Sequence, residues 1–235
     1  MSAYPPYPLF TLVGFLVHAL AFSAISVHFL RKRKDKPFLY LDLATGVDAI
    51  NFWLIIVLFY FFPNNETKTL LFFLNAFLWK PFVSIFALMS LVAVKEKFAH
   101  FAWVIFAVAL VISAILFADV VGEFRTGASE YAFVHPAYPQ IAAVNESSGM
   151  VGAVAFCLFF LYHAFSQSLF VRRRSLVLAA AAATWGFSAL YWTADTAQLY
   201  ILTHAVGVVG SILASIGVLA FHGPKTKSPD MTENL

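Results

Sequence analysis

Charge is scarce in this chain. Asp, Glu, Lys and Arg make up 11% of it, where a soluble domain carries about a quarter. Cysteine is almost absent: the lone Cys157 excludes an intrachain disulfide, and its place inside an apolar run reads as packing material. No Lys or Arg precedes the first apolar run, which begins near residue 9 and continues to Leu30; that pattern is an uncleaved anchor rather than a secretory signal. There is no His-Glu-x-x-His, no cysteine cluster and no repeat of solenoid period, so no metal is assigned. What remains is apolar. Of 235 residues, 61% are hydrophobic, and the mean hydropathy is +0.82. These values exclude a water-soluble globular domain, a disordered chain and a secreted disulfide scaffold.

A helix that crosses a hydrocarbon core of about 30 Å needs about 20 apolar residues. Seven stretches qualify: Leu9 to Leu30, Phe38 to Phe62, Thr69 to Val94, Phe101 to Val120, Gly149 to Val171, Ser175 to Thr193 and Gln198 to Phe221. The expected fold is therefore all-α, a polytopic multi-pass membrane protein built as a seven-transmembrane-helix bundle. Its single domain covers 1-222, and the polar tail 223-235, with Pro224 and Pro229, reads as disordered. Val121 to Ser148 reads as an external loop, because Gly122, Gly127, Pro136 and Pro139 punctuate it.

Twelve of the fifteen Lys and Arg residues lie in alternate connectors, at Arg31 to Lys36, Lys95 and Lys97, Arg172 to Arg174, and Lys225 and Lys227. The opposite connectors hold Lys68 and Arg125, and Lys80 lies within a helix. The positive-inside rule then puts the amino terminus outside and the carboxyl tail in the cytoplasm, which requires an odd number of spans. A net charge of +3 confined to connectors forms no surface for nucleic acid, and none is expected as a partner. Membrane lipids are.

An ionisable side chain at bilayer depth costs about 2.5 to 3.5 kcal/mol on the lenient scale and is a functional candidate by default. His18, Asp48 and Lys80 stand out. At 1.5 Å per residue, Asp48 lies about 15 Å into the second span and Lys80 about 16 Å into the third, both near the midplane. The short connector between these spans makes them antiparallel neighbours and brings Asn51 level with Asn75. The expectation is an Asp48–Lys80 ion pair with both asparagines and His18 nearby, a cluster that relays a proton or binds an ion or small ligand. The alternative is a neutralised pair that only fixes helix packing. Pro81 beside Lys80 is expected to kink the third helix.

A second polar group gathers at the outer ends of the later spans: Asp119, Tyr191, Trp192, Asp195, Tyr200 and His204. It reads either as an outward vestibule or as a solvated aromatic belt. His28, His100 and His222 fall at cytoplasmic helix ends, where they satisfy terminal carbonyls. A haem held by His18 and His204 is the one cofactor chemistry that the histidines suggest, and no cofactor is assigned. Small residues of the seventh span, Gly207/Ser211 and Gly210/Ala214, allow close approach of another backbone. That backbone is either the sixth helix or a second membrane protein, in a hetero-complex or a homo-oligomer.

The span count, external amino terminus and length resemble the microbial rhodopsins, and Trp185 and Trp192 are similar to that family's aromatic clamp. The family's retinal-binding lysine has no counterpart between His204 and Phe221. The size and span count also resemble the fungal membrane-bound terpene cyclases, which use an Asn-x-x-Trp stretch followed by an acid in the second helix and another acid in the last. Here Asn51-Phe52-Trp53 is followed by Leu54, and the last helix has no acid. The residues thus support a transporter- or receptor-like protein with a buried polar midplane site. The other classes are an intramembrane cyclase or isomerase that uses Asp48 as an acid, and a hydrophobic subunit of a redox or energy-converting complex.

Overall fold

The computed structural model describes residues 8–32, 34–61, 67, 71, 74, 75, 80–94, 100–125, 139–165, 168–190 and 196–221. Among the described residues there are seven α-helices and no strand: α1 Pro8–Leu30, α2 Lys36–Phe61, α3 Lys80–Ala93, α4 Phe101–Arg125, α5 Pro139–Ala164, α6 Leu169–Ser188 and α7 Ala197–Ser215. A wide π turn, Ile216–Ala220, continues α7. Three helical stretches are long and apolar enough to cross a membrane: Leu9–Leu30, Lys36–Phe61 and Ala197–Ala220. The tail 223–235 lies outside the described residues.

The long apolar runs at both ends of the chain match their helices to within two residues. Elsewhere the helices differ from the hydropathy reading. α4 continues past Val120 to Arg125, and α5 begins at Pro139, so much of the expected external loop is helical. α5 ends at Ala164, and α6 starts at Leu169 rather than Ser175, taking in Arg172 to Arg174. A hydropathy window measures fitness for hydrocarbon, whereas a helix needs only backbone hydrogen bonds and suitable caps, and Arg is a good helix former. Ser168 supplies such a cap, accepting the Val171 N–H at 3.4 Å. Thr196 caps α7 likewise through the Leu199 N–H at 3.2 Å. α3 is described from Lys80; residues 76–79 of the expected third span lie outside the described set, and with them the kink expected at Pro81.

Ring and glycine contacts give each helix a direction. α1 and α2 are antiparallel, since Phe29 stacks on Phe38 near their connector and Phe15 meets Phe59 at the far end. α6 and α7 are antiparallel too: Phe170 meets Phe221, and Gly207 lies against Ser188. α1 and α7 run the same way, as Thr11 pairs with Tyr200 and His18 with Ser211. α2 packs on α3, α3 on α5 and α5 on α6, which closes a ring of six helices, while α4 packs outside it on α3. Arg31, Lys32, Lys34 and Lys36 therefore share one end of the bundle with Arg172, Arg173 and Arg174. At that end Arg174 Nε donates to the Gly217 carbonyl at 2.8 Å, a carbonyl within the π turn, whose wider winding disturbs the usual ladder.

The small residues of α7 are used within the chain. Gly210 abuts Thr184 and Trp185, Gly217 abuts Leu178, and Gly207 abuts Ser188, so α6 is the backbone they admit. Apolar side chains cover the outside, among them Ile115 on α4 and Leu9 on α1, as expected where the surrounding solvent is lipid.

Candidate functional site

The inward stripe of α1 is Thr11, Phe15, His18, Phe22, Ile25 and Phe29, spaced three and four apart as one helix face demands, and all six are buried. The facing stripe of α7 is Tyr200, Thr203, His204, Gly207, Gly210 and Ser211. His18, ten residues into α1, lies about 15 Å from its start, and Asp48 about 18 Å into α2. Both are in the middle of the bundle, with 5% and 1% of their surface exposed.

His18 is held on several sides. Its Nδ1 lies 2.6 Å from the Ser211 hydroxyl, and Trp185 Nε1 donates to the same oxygen at 3.2 Å. Phe52 of α2 stacks on the imidazole at 4.6 Å and 23°, and Trp185 stands edge-on at 6.0 Å. A hydroxyl has one hydrogen and two lone pairs. Because indole N–H only donates, one lone pair of Ser211 is committed to Trp185. Towards a neutral imidazole with bare Nδ1, Ser211 donates; towards an imidazolium, its second lone pair accepts. Either protonation state of His18 is accommodated by rotating one O–H bond.

His204 stands 6.1 Å from His18, nearly perpendicular to it. Its room comes from Gly14, where a Cβ would lie 2.7 Å from Cδ2 and 2.8 Å from Nε2 of His204. Tyr200 stacks on His204 at 5.5 Å and 11°, and its hydroxyl meets that of Thr11 at 3.0 Å. Tyr200 and His204, expected at an outward mouth, are thus buried against α1. Tyr191, Trp192 and Asp195 lie outside the described residues, as does the side chain of Asp119.

On α2, Asn51 Nδ2 donates to Asp48 Oδ1 at 3.4 Å, one turn away. Asn51 and Asn75 are both buried, and the Oδ1 of each has no hydrogen-bond partner among the described residues. An unsatisfied buried acceptor costs about 1–3 kcal/mol, so the α2 side of the site retains polar capacity. The side chain of Lys80 lies outside the described ones, and the expected pair with Asp48 with it. No group of three or more His, Cys, Asp or Glu suited to a metal occurs among the described residues.

Sequence reading singles out His18, Asp48 and Asn51, but not Ser211, which holds His18. Ser211 has only the signal of small size, and Thr11 and Gly14 only their spacing from His18 on one face. Asp42 is missed as well: half-buried in α2, it accepts from Ser26 at 2.7 Å, and Gly46, one turn on, leaves space for that hydroxyl. Comparison of the chain with protein-family models, curated proteins and solved structures gives no match in any of the three.

Proposed function

We propose that this chain is a seven-span integral membrane protein, amino terminus outside and carboxyl tail in the cytoplasm, whose midplane site binds a proton at His18 in a transporter- or receptor-like role. The span count draws support from seven described helices with apolar outer faces. The parallel course of α1 and α7 agrees with an odd number of spans, and the Arg and Lys residues gathered at one end agree with the orientation.

The observation that carries the proton reading is the shared hydroxyl: Ser211 faces both His18 Nδ1 and Trp185 Nε1. Proton uptake forms one N–H bond at Nδ1 and turns the Ser211 O–H away, with the Trp185 bond kept. The resulting cation lies over the Phe52 ring, a favourable cation–π arrangement, and Asp48 shares the face of Phe52 one turn along α2. Rings fill the described surroundings of the imidazole, which suits a proton better than a bulky ligand.

The test uses Trp185 as reporter. Purified protein in lipid nanodiscs, with the other four tryptophans replaced by phenylalanine, should lose Trp185 fluorescence as pH falls, since an imidazolium in contact quenches indole. His18→Gln should abolish the response, and His204→Gln should retain it. A signal that ignores pH, or that survives His18→Gln, overturns the reading.

A further inference from the structure

Six cations stand exposed at the end of the bundle where α1 turns into α2 and α6 begins: Arg31, Lys32, Lys34, Lys36, Arg172 and Arg173. Asp35 is exposed among them, and no ion pair holds any of the six among the described residues. Their backbone is nevertheless fixed. The Lys32 N–H donates to the Phe29 carbonyl at 2.7 Å, the Asp35 N–H to the Lys32 carbonyl at 3.2 Å and the Leu39 N–H to the Asp35 carbonyl at 3.0 Å, so the connector is a hydrogen-bonded turn. The Arg172 N–H donates to the Ser168 carbonyl at 2.9 Å, within the first turn of α6.

The two basic segments flank the π turn. Phe29, two residues before Arg31, shares a buried cluster with Val218, and Leu178 of α6 packs against it. Arg174 reaches the same turn from the other side, through the Gly217 carbonyl. That bond compensates Arg174, whereas Arg172 and Arg173 are left to the surface. They lie near the start of a helix with no acidic residue in its first turn, where the positive end of the helix dipole disfavours cations. Adjacent helical residues do not face each other, so the two guanidinium groups fan outward. Just inside this basic rim the surface is apolar: Val27 and Leu30 on α1, Ile216 on the π turn, and Leu169 and Leu176 on α6 are all 42% to 53% exposed.

We propose that this end of the bundle is a seat for anionic phospholipids, with Arg172 and Arg173 of α6 and Arg31 and Lys32 of α1 holding the phosphates while the acyl chains lie along the apolar side chains beneath. A guanidinium fork matches two oxygens of a phosphate, and an ammonium adds a point charge. A phospholipid supplies both halves of the complement, an anion for the rim and hydrocarbon for the surface inside it; a soluble phosphate supplies only the first. A choline head would set its own cation among these arginines, so the patch selects heads that carry net negative charge. The inference is independent of proton binding at His18 and rests only on the bundle lying in a bilayer.

The experiment places the full chain in nanodiscs of equal parts phosphatidylcholine and phosphatidylglycerol, and native mass spectrometry of the released protein counts the lipids it retains. Phosphatidylglycerol should be retained severalfold over phosphatidylcholine. The combined variant Arg31→Gln, Lys32→Gln, Arg172→Gln, Arg173→Gln should lose that preference, and Lys68→Gln, in an opposite connector, should keep it. Amide exchange of the unaltered protein supplies a measurement that does not depend on the variant folding: against discs of phosphatidylcholine alone, phosphatidylglycerol should slow exchange over residues 31–36 and 169–173 and leave residues 8–12 unchanged. Equal retention of the two lipids, a preference that survives in the combined variant, or protection gained alike at both ends overturns the proposal. Glycerol phosphate that reproduces the protection in phosphatidylcholine discs overturns it too, by showing a site for soluble phosphate rather than lipid.

Discussion

The Nδ1 of His18 and the hydroxyl of Ser211 stand 2.6 Å apart although 193 residues separate them in the chain. That contact joins the first helix to the last and shares its oxygen with Trp185 of the sixth. Three helices thus meet at one buried atom, and the consequences of removing it can be stated.

Ser211→Ala leaves His18 and Trp185 without the oxygen they share. Each hydrogen bond lost costs about 0.5–1.5 kcal/mol, so thermal unfolding in nanodiscs should shift down. The Trp185 response to pH should weaken as well, because the indole loses its anchor beside the imidazole.

Gly14→Ala should be destabilising by about 1–3 kcal/mol, the usual cost of overpacking. The added methyl meets the His204 ring, which is itself confined by Phe15 and Tyr200. Combining it with His204→Ala should recover part of the loss, and unequal melting temperatures of the single and double variants measure the coupling.

Arg174→Met removes a charged donor from the Gly217 carbonyl. Bonds of that kind contribute about 1.5–3 kcal/mol. Amide exchange should accelerate over residues 216–221 while exchange at Thr203 and His204 stays unchanged, since the contact holds only the last turn.

The ion pair expected from the sequence between Asp48 and Lys80 predicts a strong double-mutant coupling. Asp48→Asn or Lys80→Met alone should cost about 3–5 kcal/mol, because each strands one buried charge, and the double variant should regain most of it. Losses that simply add would show that the two groups do not meet.

Much of this architecture is legible without coordinates. α1, α2 and α7 are bounded by charge or proline at places where the apolar runs stop, so hydropathy finds them. The buried states of His18, Asp48, Asn51 and Asn75 follow from polar residues stranded inside those runs. The start of α6 at Leu169 is not legible, because Ser168 caps a turn that carries three arginines and no window of apolar residues reports it. The burial of Tyr200 is equally hidden, since tyrosine near a span end reads as a belt residue whichever way it points.

What the amino-acid order determined by itself is the solvent: runs this long and apolar leave lipid as the medium, and lipid obliges the backbone to satisfy its hydrogen bonds within helices. Which faces meet was decided only by the tertiary structure. Around a helix that is apolar on every side, burial no longer distinguishes inside from outside, and the choice passes to shape and to scarce polar contacts. Gly14 admits His204, Gly210 admits Trp185, and Ser211 receives His18 because these helices pack in that order. None of those complementarities is visible until the residues on both sides of each contact are placed.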